Sequence, residues 1–219
     1  MTFSPIVYSG QTRLAANVAA AVHGDRIWPV DEKHFGTMPT IMFGNLVRSG
    51  ADEVAWILAL LFGACEQGSS YDYERMRDEF GEDMVRWHKA ASWTEILTDR
   101  NGQVTEWEEA AISLRGHLNG APPVSRLVWL AYEHYRMTAL AAMVEAHEDP
   151  TIWSRFFQGF PGPHNQYPSL RHPFGFIARY YGQLFRLHNA DARNGQTLLN
   201  EILTISRDME HSFARANLL

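Results

Sequence analysis

Thr40-Ile41-Met42-Phe43-Gly44-Asn45-Leu46-Val47-Arg48-Ser49-Gly50 reads as a strand running into a loop. Thr40 to Phe43 is a short β-branched and aromatic run, and the glycines, asparagine and serine that follow are the residues that punctuate turns. A second stretch near the N-terminus has the same form: Ile6-Val7-Tyr8 is β-rich, and Ser9-Gly10-Gln11-Thr12-Arg13 breaks it. Arg13 to Val22 then has helical spacing, with Leu14, Val18 and Val22 four residues apart and alanines that permit close packing. Arg26-Ile27-Trp28-Pro29-Val30 reads as a further strand, its proline suiting an edge. Strands joined by a helix form a right-handed βαβ unit, and such sheets bind ligands beyond the carboxyl ends of their strands. The expected fold is therefore α/β to mostly α. A small N-terminal parallel sheet, a βαβ unit plus one strand, packs into a predominantly helical single domain.

Outward from this start the pattern becomes helical. Ala51 to about Cys65 is apolar on nearly every face, which suits a helix packed on several sides. Tyr71 to about Ala91 reads as one charged helix with Met76, Phe80, Met84, Val85 and Trp87 as its apolar stripe. Further helices are expected over Glu106 to about Leu118, Val124 to about Ala146, Phe174 to Leu187, and Asn194 to about Ala214. Residues 1–66 form the α/β ligand-binding start and 67–219 the helical remainder. The first part alone is too small for an independent core, so 1–219 is read as one domain.

Composition narrows the function classes. The 219 residues carry a net charge of -6 and 46% hydrophobic residues, which argues against a broadly basic nucleic-acid coat and against long disorder. A single cysteine, Cys65, excludes an internal disulfide and a Cys-rich zinc site. No secretory signal is visible and the longest apolar run is too short to span a bilayer, so no membrane partner and a cytoplasmic location are expected. The ten histidines form no metal signature, and no metal site and no resident cofactor are expected.

The candidate chemistry lies in the two Gly/Arg loops. A helix N-terminus attracts anions, and an arginine adds a bidentate charged clamp. Ser9, Gly10 and Arg13 in one loop, with Asn45, Arg48 and Ser49 in the other, would hold a phosphorylated ligand. The same residues also describe turn-shaping glycines and solvated arginines. Asp31 and His34 follow the second strand, where a catalytic base could activate an acceptor hydroxyl. His164, Arg171 and His172 sit in a proline-rich aromatic loop that would contact the acceptor or cover the site. There is no Walker motif, no GxGxxG and no serine-hydrolase elbow.

Ile6-Val7-Tyr8-Ser9-Gly10 with its small-residue helix, and Ile41 to Gly50 with its Gly/Arg loop, together resemble phage and bacterial glycosyltransferase-like proteins of the DNA-modifying type. The resemblance covers about the first 65 residues. Ser70-Tyr71-Asp72-Tyr73 stands where an aromatic-Asp-His stretch is usual, and no second α/β half follows. It implies a reduced transferase using a nucleotide-activated donor, with modified nucleobases in phage DNA as acceptor. The expected function is thus group transfer at the sheet edge. The alternatives from other classes are a phage or bacterial interaction protein that binds a host protein through a helical aromatic surface, and a non-catalytic nucleic-acid binder.

Overall fold

The computed structural model describes residues 8–24, 37–65, 69–91, 116–147 and 193–215. The helices that organise them are α1 (Gly10–His23), α2 (Thr37–Arg48), α3 (Glu53–Leu60), α4 (Tyr73–Phe80), α5 (Glu82–Ala91), α6 (Pro123–His147) and α7 (Arg193–Arg215), and residues 116–120 are helical as well. There is no strand among the described residues.

The expected parallel sheet is therefore corrected. Thr40 to Phe43 is the middle of α2, not a strand. Met38, Met42 and Leu46 are spaced four apart and all have zero exposure, so the helical period decides this segment and its β-branched residues do not. Pro39 is tolerated because the first helical turn has no intrahelical use for its missing N–H. Tyr8 has no regular secondary structure and belongs to no sheet among the described residues. The remaining strand residues, Ile6, Val7 and 26–30, lie outside the described residues.

The helix runs straight through Gly44 and Asn45, which had read as a turn. The real break comes at Gly50, whose φ of 76° is left-handed. The N–H of Gly50 donates to Val47 O at 3.1 Å and that of Ala51 to Leu46 O at 3.0 Å. This is the paired bonding of a Schellman end, with buried Ala51 and Leu46 at its hydrophobic contact positions. Ser49 does not cap the next helix. Its hydroxyl donates back to Leu46 O at 2.9 Å, and Asp52 is the N-cap of α3, accepting from Ala55 N at 3.1 Å. A second left-handed glycine, Gly81 at φ 89°, divides the expected 71–91 helix into α4 and α5.

α6 is the hub. It packs against α7, α2, α3 and α5, while α1 leans on α3. Its Val128, Leu130, Ala131 and Met137 have no exposure, and Trp129 and Tyr132 join Phe62 in a cluster with ring centroids 4.8–6.4 Å apart. α3 is apolar on most faces because α1, α2, α5 and α6 all touch it. Side chains from elsewhere satisfy the ends of the short helices. Ser125 donates to Trp87 O at 2.8 Å, and the Nε2 of His117 lies 2.8 Å from Ala90 O. No described helix is long and apolar enough to cross a membrane.

Candidate functional site

The first loop becomes the N-terminus of α1. Ser9 is its N-cap and accepts from Thr12 N at 3.2 Å. The positive end of this helix is already met by a carboxylate of the chain. Glu53 accepts the Ser9 N–H at 3.2 Å and the Thr12 hydroxyl, and the bonds from Ser9 and Thr12 lower its pKa. Gly10 is exposed. Arg13 is exposed too, its Nη2 donating to Tyr8 O at 3.3 Å.

The second loop is the C-terminal turn of α2. Carbonyls lie at this end, so the helix favours the cation of Arg48 and disfavours a phosphate. Arg48 and Asn45 are one turn apart and face α6 and α7. Nη1 and Nη2 of Arg48 donate to Oε1 and Oε2 of Glu201 at 2.5 and 2.7 Å, a bidentate pair, and Nη2 also reaches Asn45 Oδ1 at 3.4 Å. The Asn45 amide nitrogen lies 3.0 Å from Nδ1 of His134, and Nε2 of His134 lies 2.8 Å from Glu201 Oε2. Four side chains on three helices thus close one polar circuit.

Proton positions follow from the partners. Nδ1 of His134 faces a donor, so it carries the lone pair, and Nε2 carries the hydrogen that Glu201 accepts. The ring is neutral although it stands at ion-pair distance. Burial lowers its pKa, outweighing the opposing pull of Glu201. The hydrogen bond from Arg48 lowers the Glu201 carboxyl, and the same bond raises the guanidinium.

No protein-family model and no curated protein matches this chain. Whatever the site can do must be read from its own geometry.

Of the residues singled out in the sequence, Asn45 and Arg48 come together. Ser9, Gly10 and Arg13 form a separate group at the other end of another helix, and Ser49 turns its hydroxyl onto its own helix. Asp31, His34, His164, Arg171 and His172 lie outside the described residues. His134 and Glu201 were missed. A signal for the first existed: Glu133-His134-Tyr135-Arg136 places three polar side chains inside an apolar helix. Glu133 and Arg136 there have no exposure and pair at 3.3 Å, with the Arg136 guanidinium 5.4 Å from the Tyr132 ring centroid. Buried charges on this scale are costly unless paired.

Chemically, the circuit has its valences filled. Both nitrogens of His134 and both oxygens of Glu201 are engaged. Cys65 offers no alternative nucleophile, since burial foremost, then Asp72, pushes its thiol up to about 12, where almost no thiolate exists at neutral pH. Tyr71 is raised as well, by burial and by donating to Glu79 Oε2 at 2.9 Å.

Proposed function

We propose that the chain works as a non-enzymatic helical interaction protein. One observation carries this: both residue groups that resembled a phosphate cradle hold carboxylates of the chain itself, Glu53 at α1 and Glu201 at Arg48. The transferase reading rested on a sheet edge and is not carried forward. Among the described residues, the large hydrophobic side chains left exposed are Tyr8 and Ile41, at 37% each. Tyr8 adjoins half-buried Phe43 and Trp56, whose ring centroids stand 5.6 and 6.4 Å from its own. Aromatic and aliphatic anchors of this kind are what interaction surfaces use.

The test is thermal unfolding against inorganic phosphate, pyrophosphate, nucleotides and nucleotide sugars. The expected result is no shift. A ligand at about 100 times its dissociation constant would add roughly 2.7 kcal/mol, which such a measurement resolves. A shift with one class that disappears in Arg48→Ala overturns the reading.

A further inference from the structure

The circuit of Asn45, His134, Glu201 and Arg48 has a property that a simple ion pair lacks. Its bonding pattern holds for one protonation state. With neutral His134, the Asn45 nitrogen donates to Nδ1 and the Asn45 oxygen remains for Arg48. A proton from solvent arriving at Nδ1 sets two donors against each other. The Asn45 amide must then turn to present its oxygen to Nδ1–H. Turned, it presents its NH2 to Arg48 Nη2, which now faced an acceptor at 3.4 Å. Glu201 Oε2, shared between His134 at 2.8 Å and Arg48 at 2.7 Å, is drawn toward the new imidazolium at the expense of the arginine.

We propose that this circuit is a proton-operated latch, in which protonation of His134 at Nδ1 turns the Asn45 amide, uncouples Arg48 and loosens α7 from α2. The inference does not depend on the interaction reading above. Its location gives the latch leverage. Leu198, Leu199 and Ile202 hold α7 on the core, and Arg48 to Glu201 is its polar tie to α2.

The charges acting on the ring are Glu201 from α7 and Arg48 from α2. On α6 itself, Glu133 and Arg136 are paired with each other. On α3, Glu53 is held by Ser9 and Thr12. On α5, His88 is bonded at Leu61 O, Glu82 pairs with Arg77, Asp83 with Arg86, and Lys89 lies over the Tyr73 ring. Histidine is the side chain whose ordinary titration lies within reach of cellular pH changes.

The experiment follows the His134 ring by NMR between about pH 7 and pH 5, and in the same samples the exchange protection of α7 amides from Leu198 to Ile202 relative to that of α3 amides, which share any global loss of stability, corrected for intrinsic exchange. The expected result is that this relative protection of α7 falls severalfold, up to about fivefold, in step with His134 protonation, the effect of losing a solvent-screened pair. In His134→Gln, whose amide still donates to Glu201 but does not titrate, protection stays level. In Asn45→Asp the protonated ring meets a carboxylate and nothing has to turn. The ring then titrates at higher pH, and the fall in protection disappears. Steady protection through the wild-type titration overturns the latch. So does a step that survives in His134→Gln or Asn45→Asp, or a ring that stays neutral to about pH 4.

Discussion

The Nε2–H of His88 donates to the carbonyl of Leu61 at 2.9 Å, fastening α5 to the end of α3 inside the core. Among the described residues, its Nδ1 is buried with no hydrogen-bond partner. The ring therefore has nowhere to place a second proton, and burial pushes its pKa down to about 4.

That depression makes stability pH-dependent. In the unfolded chain this histidine binds a proton near pH 6.5. Between that value and about 4 the unfolded state holds more protons, so stability falls as pH drops through this window and levels below it. The loss from His88 amounts to about 3 kcal/mol. Denaturant unfolding at pH 7 and across the window measures it. In His88→Leu the slope in the window shrinks by that amount. At pH 7 the variant stays within about 1 kcal/mol of wild type, because Leu61 O keeps its bond from Ala64 N and an orphaned nitrogen is removed.

The two partners of the α2–α7 pair contribute unequally. Arg48 is half exposed, so Arg48→Ala costs about 0–1 kcal/mol, as solvent-screened pairs do. Glu201→Ala also strips the acceptor from the buried His134 N–H and costs about 1–3 kcal/mol. Equal losses in urea unfolding would show that His134 does not lean on Glu201.

Glu53 is a clip for α1. Glu53→Ala frees the Ser9 N–H and the Thr12 hydroxyl together, and a lost cap of this kind costs about 1 kcal/mol. Amide exchange reports it as faster opening of the first turn of α1, with α6 unchanged. Glu53→Gln, which keeps an acceptor, loses less.

A glycine inside α2 and one just past its end respond in opposite ways. Gly44 lies mid-helix and a Cβ there meets nothing within 4 Å, so Gly44→Ala stabilises by about 1 kcal/mol. Gly50 sits at φ 76°, and Gly50→Ala destabilises by about 1–2 kcal/mol. Thermal midpoints of the two variants displaced in opposite directions confirm where α2 ends.

These glycines also show what the sequence made legible. The long helices were readable because periods such as Leu198, Leu199 and Ile202 are sustained. α2 was misread because its Met38, Met42 and Leu46 stripe was crossed by Gly44-Asn45, a pair that signals a turn in local grammar but costs a packed helix only about 1 kcal/mol. Tertiary burial outweighed that cost. Asn45 and Arg48 were recognisable as polar residues of consequence, but their partners lie 89 and 153 residues away. No local pattern encodes contacts at that separation. Ser49 and Asp52 show the limit at finer scale: both are capping residue types, and only the geometry distinguishes the end of one helix from the start of the next.

The reach from Arg48 to Glu201 also bears on the order of assembly. Bringing two points 153 residues apart together carries a closure entropy that local helices do not meet, so such contacts form after the nearer ones. α2, α3 and α6 can build their common core before α7 arrives, and until then Arg48 and His134 lack their carboxylate. A nascent chain therefore remains unfastened at this junction until α7 has been synthesised.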